Sequence, residues 1–149
     1  MNRITLNNKI QMPMLGFGTF LMGGSECEES VHAAIRSGYR MIDTAEAYRN
    51  EEAVGSAIVK SGIPREELFL VTKVNFRSYE NTRETVEASL NKLKTSYLDL
   101  VLLHWTFGNY YAAWRELEKM YHEGKIRAIG VSNFGPDRYL DIQCMLSGS

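Results

Sequence analysis

The stretch LFLVTKV, residues 68 to 74, is apolar at every position except Thr72 and Lys73. A short apolar run of this kind predicts a strand that is buried on both faces, as in the parallel sheets of α/β proteins. The segment TRETVEASLNKL (82–93) follows it and is predicted to be an amphipathic helix, because Val86, Leu90 and Leu93 recur at helical spacing. A second apolar run, YLDLVLLHW (97–105), comes next. The order strand, helix, strand predicts a βαβ unit.

The same pattern extends to both sides of this unit. Further strands are predicted at YRMIDT (39–44) and KIRAIGVSNF (125–134). The helices EEAVGSAIVKSG (51–62) and YYAAWRELEKMYHEG (110–124) separate the strands, and their apolar stripes are Val54, Ala57 and Ile58 in the first and Ala113, Leu117, Met120 and Tyr121 in the second. Strand centres near residues 41, 70, 100 and 129 repeat about every thirty residues, which is the length of one βα unit.

Local signals predict the ends of several elements. Asn7-Asn8 is predicted to turn an N-terminal hairpin, and a short strand then leads into Gly16 and Gly18. Asn50 is of a type that caps helices, and Gly62 followed by Pro64 is predicted to end the helix that Asn50 begins. Pro136 suits the first turn of a last helix.

Apolar strands that alternate with amphipathic helices predict a parallel sheet covered by helices, and two architectures fit this pattern. One is a doubly wound sheet and the other is a (β/α)8 barrel. The only stretch that could carry a dinucleotide fingerprint is GFGTFL (16–21), where Leu21 occupies the third glycine position. The chain also has no G-x-x-x-x-G-K-[ST] motif. These failures favour the barrel.

The composition is that of a globular protein and argues against several other classes. Of 149 residues, 44% are hydrophobic and 23% charged, and 17 Lys and Arg against 18 Asp and Glu give a net charge of −1, so no basic surface for nucleic acid is predicted. Cys27 and Cys144 are far apart and are predicted to be reduced thiols. We find no signal-peptide pattern and no membrane span, and we predict a cytoplasmic protein.

A polar residue stands at the C-terminal end of each predicted strand. These residues are Thr19, Asp43, Lys73, His104 and Ser132-Asn133. Taken singly, each has an ordinary structural interpretation, such as a solvated lysine at the rim or a hydrogen-bonded core histidine. Since the C-terminal ends of parallel strands converge on one face of a barrel, where active sites are built, their joint occurrence predicts a functional cluster.

The residue types in this cluster fit carbonyl reduction. Tyr48 follows Asp43 by five positions. A Lys73 ammonium beside the Tyr48 phenol favours the ionised phenolate, which allows proton exchange near neutrality, and Asp43 can hold the lysine. His104 can donate a hydrogen bond to a substrate oxygen. Together the four side chains could polarise a carbonyl group and protonate the alkoxide formed when a hydride arrives. This chemistry requires no metal, and the sequence offers no cluster of metal ligands.

Five stretches of the sequence resemble the aldo-keto reductases, which are NAD(P)H-dependent oxidoreductases built on a (β/α)8 barrel. They are MPMLGFGTF (12–20), GYRMIDTAEAYRNEEAVGSAI (38–58), REELFLVTKV (65–74), YLDLVLLHW (97–105) and GKIRAIGVSNF (124–134), in the family's order and spacing. The resemblance implies that Asp43, Tyr48, Lys73 and His104 are the catalytic tetrad, with Tyr48 as the general acid.

The same resemblance implies a cofactor site and a substrate site. NADPH is the expected cofactor and NADH the possible one, and its predicted contacts are Gly18, Thr19, Phe20, Asp43, Ser132 and Asn133. Ser132 and Asn133 would bind the nicotinamide carboxamide. The predicted substrate contacts are Phe20, Tyr48, His104 and Trp105, of which Phe20 and Trp105 are aromatic walls. The identity of the aldehyde or ketone remains open, because specificity in this architecture lies in variable loops.

The chain departs from the family pattern at two places. Thr106 stands where the family commonly has a proline after His-Trp, so this loop is expected to differ in shape. A complete barrel has about 250 residues or more, so a chain of 149 is predicted to be a single partial domain that ends after about five βα units. Residues 143 to 149 are predicted to be a flexible or aberrant tail. The alternative function is that of a non-catalytic fragment, and open sheet edges predict self-association.

Overall fold

The computed structural model describes residues 2 to 147, and within them a helix-covered parallel sheet follows an N-terminal hairpin. The strands are β1 (Arg3–Thr5), β2 (Gln11–Pro13), β3 (Phe17–Gly18), β4 (Met41–Asp43), β5 (Phe69–Val74), β6 (Leu100–Leu103) and β7 (Ile129–Val131). The α-helices are α1 (Gly24–Arg36), α2 (Glu51–Ser61), α3 (Thr82–Lys92), α4 (Tyr110–His122) and α5 (Pro136–Ser147). This arrangement confirms the predicted parallel α/β fold and the predicted hairpin.

The hairpin turns at Asn7-Asn8, as predicted. The Leu6 N–H donates to the Ile10 carbonyl at 2.9 Å, and Lys9 adopts the left-handed conformation with φ 69°. The Asn8 side chain reaches across to donate to the Arg127 carbonyl at 2.9 Å, two residues before β7. The hairpin is therefore tied to the end of the sheet at which the parallel strands begin.

The sheet has the order β3-β4-β5-β6-β7, and all of its neighbouring strands are parallel. Each strand lies next to its successor in sequence, and a helix occupies each connection. Strand β5 is buried along its whole length. In β6, Val101 and Leu103 are fully buried, whereas Leu100 and Leu102 on the other face are partly exposed. Among the described residues, β3 and β7 form the two edges of this sheet.

The predicted apolar stripes of the helices are buried, with one exception. The buried residues are Val54, Ala57, Ile58, Val86, Leu90, Leu93, Ala113, Leu117 and Met120. The prediction that Tyr121 belongs to the buried stripe was wrong, because Tyr121 is 36% exposed. Gly55 is required where α2 meets α3, since a Cβ atom there would lie 2.3 Å from the Lys92 carbonyl oxygen.

Three predicted strands are shorter in the structure, and the first of them, predicted at 39–44, reduces to β4 (Met41–Asp43). The predicted strand at 97–105 reduces to β6, because the buried Asp99 carboxylate accepts from the Leu70 N–H at 2.9 Å and interrupts the ladder before Leu100. The predicted strand at 125–134 reduces to β7, because Asn133 adopts a left-handed conformation with φ 59°. The remaining interior strand, predicted at 68–74, agrees with β5 to within one residue.

The residues predicted to be a flexible or aberrant tail, 143 to 149, overlap the last helix. Helix α5 begins at Pro136, as predicted, and continues to Ser147, so 143–147 are helical. Ile142 is 2% exposed in the core and Asp141 is bonded to the Tyr110 and Tyr111 hydroxyls, which holds the middle of this helix on α4. Residues 148 and 149 lie outside the described residues. In the described part of the chain, no helix is long and apolar enough to span a membrane.

Candidate active site

The register of the sheet brings Asp43 and Lys73 together. Asp43 pairs with Val71 across β4 and β5, and Lys73 lies two residues further along β5. Since side chains alternate between the two faces of a strand, Val71 and Lys73 lie on the same face as Asp43. Lys73 pairs in turn with Leu102 of β6, on the face away from the buried Val101 and Leu103. The carboxylate and the ammonium thus meet at the C-terminal end of neighbouring strands.

Lys73 is held from two sides. Its Nζ donates to Asp43 Oδ1 and, at 2.9 Å, to the Thr44 backbone carbonyl. Its side chain is 8% exposed, whereas that of Asp43 is 36% exposed. Lys73 Nζ lies 5.2 Å from the centroid of the Tyr48 ring. The lysine is therefore buried, charge-compensated and placed beside the phenol, which is the arrangement that the sequence predicts.

Tyr48 ends a single turn of 3-10 helix, Glu46–Tyr48, that follows β4. Glu46 anchors this turn on the loop after β5, because its carboxylate accepts from the Asn75 N–H at 3.0 Å and from the Ser78 hydroxyl at 2.7 Å. Arg49 then reverses the chain in the left-handed conformation with φ 56°. Two fixed points, the end of β4 and the Glu46 anchor, therefore place the phenol at the end of the sheet.

His104 follows β6 and lies beside Tyr48. Its backbone N–H donates to the Val74 carbonyl at 3.0 Å, and its ring centroid is 5.9 Å from that of Tyr48. The residue is 8% exposed, and its Nδ1 is buried with no hydrogen-bond partner among residues 2 to 147. Burial, and secondarily the Lys73 charge, lower the pKa of His104 below the ordinary histidine value. The imidazole is accordingly neutral near neutral pH, with one nitrogen able to donate.

Aromatic rings stand on two sides of these groups. The Phe20 and Tyr48 ring centroids are 5.1 Å apart, and the Trp105 ring stacks on His104 with centroids 5.9 Å apart. Phe20 is 63% exposed and Trp105 is 38% exposed, so both rings border solvent. The Tyr79 hydroxyl donates to the Trp105 carbonyl at 2.6 Å and accepts from the Trp105 N–H at 3.2 Å. Burial raises the pKa of Tyr79 to about 12, so this phenol stays neutral and keeps the Trp105 backbone in place.

The remaining predicted residues lie at the ends of the flanking strands. The Thr19 N–H and hydroxyl both donate to the Asp43 carbonyl, at 3.0 and 3.2 Å, which joins Gly18 and the segment after β3 to β4. The Ser132 N–H donates to the Leu103 carbonyl at 2.8 Å. Asn133 Nδ2 donates to the His104 carbonyl at 3.0 Å and to Ser132 Oγ at 3.1 Å, which fixes the orientation of that side-chain amide.

The structure therefore gathers every residue that the sequence predicts for the site. It also adds three that sequence reasoning missed in this role, namely Thr44, Glu46 and Asn50. The first offers its carbonyl to Lys73, the second anchors the Tyr48 turn, and the third bonds to Thr44 and to the segment after β3. All three lie within residues 41–52, and no local pattern distinguishes them from ordinary polar residues there.

Comparison with known proteins identifies the family. The model of the aldo/keto reductase family matches residues 14 to 146, which is most of the chain. The chain belongs to the aldo-keto reductase family. This membership confirms the resemblance read from the sequence.

Curated relatives cover almost all of this chain. It is 52% identical over 135 residues to glyoxal reductase of Bacillus subtilis, a match that spans 88% of this chain and 49% of that protein. It is 44% identical over 145 residues to 9,11-endoperoxide prostaglandin H2 reductase of Trypanosoma cruzi, spanning 95% of this chain and 51% of that protein. The chain therefore spans about half the length of the curated relatives it matches.

Solved structures of this family superpose closely on the fold. An aldo/keto reductase from Brucella melitensis, 39% identical, matches with a TM-score of 0.93 over 99% of this chain and 59% of that one. The aldose reductase of Schistosoma japonicum, 29% identical, matches with a TM-score of 0.91 over 96% and 56%. The prediction of a barrel-type α/β fold preceded by a hairpin is confirmed, and this aldo-keto reductase chain corresponds to about five of the βα units.

Proposed function

We propose that this chain carries the catalytic half of an NAD(P)H-dependent reductase that converts aldehydes or ketones to alcohols. The observation that carries the proposal is the convergence of Tyr48, His104 and the Asp43–Lys73 pair at the ends of three neighbouring strands. An ion pair beside a phenol and a neutral imidazole suits proton donation to a carbonyl oxygen that gains negative charge.

Each of the four side chains has a distinct part in this proposal. Tyr48 is the general acid and gives its proton to the carbonyl oxygen. Lys73, held by Asp43 and by the Thr44 carbonyl, places its ammonium group beside the phenol, 5.2 Å from the centroid of the ring. His104, neutral because burial lowers its pKa, donates a hydrogen bond to the same oxygen without competing as an acid. Asp43 holds the lysine in this position.

The residues beside the tetrad suit a nicotinamide cofactor, which when bound supplies the hydride. Its carboxamide has one acceptor and two donors, and the Asn133 amide and Ser132 hydroxyl offer complementary groups at the end of β7. Gly18, Thr19 and Phe20 would contact it mainly through backbone, since a Cβ atom added at Gly18 meets nothing within 4 Å. NADPH is the proposed cofactor, and NADH remains the alternative.

Small carbonyl compounds are the proposed substrates. Phe20 and Trp105 flank Tyr48 and His104 as exposed aromatic walls, which suits an apolar or compact group attached to the carbonyl carbon. The glyoxal reductase of Bacillus subtilis, 52% identical over 135 residues, makes glyoxal the first compound to test.

The direct test is binding of NADPH to the purified chain, followed by quenching of protein fluorescence, and then NADPH oxidation with glyoxal. We expect saturable binding and turnover, with weaker binding by an Asn133→Ala variant. Asn91→Ala, on the exposed surface of α3, is the matched control and should bind like the unmodified chain. Absence of NADPH binding by a folded chain would refute the proposal for this chain.

The open edges of the sheet favour a second candidate, a non-catalytic fragment that associates with itself. Beside β7 an apolar groove is lined by Leu100, Leu102, Val131 and Tyr139, among others. Unpaired strand edges and contiguous apolar surface favour association. Size-exclusion chromatography with light scattering at several concentrations tests this candidate. A sharp monomer that unfolds cooperatively and oxidises NADPH with glyoxal would rule it out.

A further inference from the structure

Asn50 lies at the position immediately before α2 but does not cap that helix. It is 2% exposed, and no side-chain hydrogen bond joins it to the first turn of α2. Its Oδ1 accepts from the Thr44 hydroxyl at 2.8 Å, and its Nδ2 donates to the Thr19 carbonyl at 2.8 Å and to the Met22 carbonyl at 2.9 Å. Because carbonyl oxygens can only accept, the amide nitrogen must face them, and the orientation of Asn50 follows.

These bonds join two parts of the site that are remote in sequence. On one side lies the segment after β3, whose Phe20 ring is 5.1 Å from the Tyr48 ring. On the other side lies Thr44, whose carbonyl accepts from Lys73 Nζ at 2.9 Å. A single buried amide therefore connects the aromatic wall with the peptide unit that orients the lysine.

The segment after β3 depends on such a connection. Strand β3 has two residues and lies at a sheet edge, so its own ladder holds the following segment weakly. Leu21 adopts the left-handed conformation with φ 64°, which an L-residue keeps only where its surroundings enforce it. The two donors of Asn50 flank this strained residue by bonding to the carbonyls of Thr19 and Met22.

We propose that Asn50 is a positioning residue for carbonyl reduction, which fixes the segment of residues 19 to 22 and the Thr44 carbonyl relative to Tyr48 and Lys73. Its side chain bonds to the Thr44 hydroxyl and to the Thr19 and Met22 carbonyls, and it acts on the site through these groups. Its contribution to turnover rests on the proposed function, whereas its control of local structure can be measured without any activity.

Hydrogen exchange of single amides, followed by NMR on the purified chain, measures this control. The Thr19 N–H donates to the Asp43 carbonyl and the Met22 N–H donates to the Thr19 carbonyl. In Asn50→Ala we expect their protection to fall at least about tenfold, while the Val101 amide in β6 keeps its protection. The matched control is Asn81→Ala, an exposed asparagine that precedes α3 and likewise makes no side-chain cap. It should leave the Thr19 and Met22 amides unchanged.

The imidazole titration of His104 separates positioning from general loosening. The Lys73 charge contributes to the lowered pKa of His104. If loss of Asn50 lets Thr44 and Lys73 move, this pKa should rise towards the ordinary histidine value. The resonances of His32 and His122, which lie on α1 and α4, should respond to pH identically in both proteins. In a preparation that reduces glyoxal, kcat should also fall about tenfold or more.

Two further variants keep the test decisive if Asn50→Ala does not fold, and Thr44→Val is the gentler of the two. Asn50→Asp keeps the shape and the acceptor for Thr44 but turns carboxylate oxygens towards two carbonyls, so we expect the loss of protection at Thr19 and Met22 to persist. Thr44→Val removes only the hydroxyl donor and should shift the His104 pKa with little effect at Met22. Unchanged protection of the Thr19 and Met22 amides in Asn50→Asp, an unchanged His104 pKa in Thr44→Val, or an equal loss of protection throughout the core would overturn the proposal. Failure of NADPH binding alone would refute the reductase function and leave this result standing.

Discussion

Each end of the five-stranded sheet carries an aspartate in an ion pair, and the two clusters differ in how far the aspartate is exposed to solvent. At the N-terminal end of β6, Asp99 is 1% exposed and accepts from Arg65 at 2.7 Å, Arg127 at 3.0 Å and the Leu70 N–H at 2.9 Å. At the C-terminal end, the Asp43 side chain is 36% exposed although its partner Lys73 is 8% exposed.

This difference separates a structural cluster from the one that we propose to be reactive. The buried Asp99 carboxylate is neutralised by its two arginines and is not accessible to a ligand. The Asp43 cluster instead adjoins exposed Phe20 and Trp105 rings and a buried histidine nitrogen without a partner among residues 2 to 147. The sheet therefore concentrates rigidity at one end and accessible polar groups at the other, which is how βα barrels divide stability and function.

The largest effect is expected from Tyr48→Phe, which tests whether the C-terminal end of the sheet carries the proposed chemistry. The change keeps the ring against Phe20 and removes only the proposed proton donor, so turnover should fall on the order of 10²–10⁴-fold. NADPH affinity and the free energy of unfolding should remain nearly unchanged. The measurement is steady-state reduction of glyoxal, with fluorescence titration of NADPH, in a preparation that is active.

Tyr97→Phe is the matched control for this prediction. Tyr97 lies at the opposite end of the sheet, where its ring stacks on the Arg65 guanidinium at 4.0 Å, and phenylalanine keeps that ring. We expect full turnover from the control. A Tyr48→Phe protein that retains most of its rate when hydride transfer limits turnover would show that another group supplies the proton.

The second prediction compares the two aspartates. Replacing Asp99 should mainly lower the free energy of unfolding, whereas replacing Asp43 should mainly lower turnover. Asp99→Asn leaves two arginines without their buried counter-charge, and we expect it to lower the free energy of unfolding by about 3 kcal/mol, the low end for a broken buried pair because Arg127 is half exposed. Asp43→Asn removes the counter-charge of the buried Lys73 but leaves its bond to the Thr44 carbonyl at a position that borders solvent, so it should cost less, about 2 kcal/mol, and abolish most turnover. Urea denaturation of both variants decides this. An equal loss of stability would remove the distinction between the clusters.

The sequence predicted the C-terminal end of the sheet, around Asp43, better than the N-terminal end, around Asp99. Three residues of the proposed tetrad stand in or next to an apolar run, so Asp43, Lys73 and His104 could be placed on one face from local pattern alone. The parallel order of the strands followed from the same runs. What local pattern could not supply was strand length, because Asp99 replaces a ladder bond of the strand predicted at 97–105 through contacts with residues about thirty positions away.

Asn50, one of the site residues that sequence reasoning missed, was missed for the same reason, because its contacts are remote in sequence. Asn50 was predicted to be a helix cap from its type and position, but its amide bonds to Thr19, 31 residues earlier, and to Met22, 28 residues earlier. Burial beside the Thr19 and Met22 carbonyls outweighs the local cap, since an unpaired buried amide would cost more than leaving the first N–H groups of the helix to other acceptors. Such long-range bonds leave no periodic trace in a sequence.

A smaller effect is expected from Tyr79→Phe, which tests how firmly the aromatic wall is held. The Tyr79 hydroxyl bonds to both the carbonyl and the N–H of Trp105, and the residue is 3% exposed. Its removal should lower the free energy of unfolding by about 1–3 kcal/mol and increase the mobility of Trp105. Urea denaturation and the tryptophan fluorescence anisotropy measure these effects. Unchanged values for both would show that Trp105 is held by its stacking on His104 and Phe107 instead.

The smallest expected effect is a dependence of stability on pH through His104. Burial, with a secondary contribution from Lys73, lowers the pKa of this imidazole in the folded chain below its value of about 6.5 when unfolded. A folded-state pKa that is depressed means that the unfolded chain binds the proton more readily, so this contribution to stability is complete above about pH 6.5 and is lost as the pH falls towards the folded pKa. His104→Gln, which is neutral at every pH, should therefore reduce the difference between the free energies of unfolding measured at about pH 7 and about pH 5. His122→Gln, on the exposed side of α4, is the matched control and should keep that difference. If His104→Gln keeps that difference as well, the fold does not hold the imidazole neutral. The C-terminal end of the sheet then carries one more positive charge than proposed.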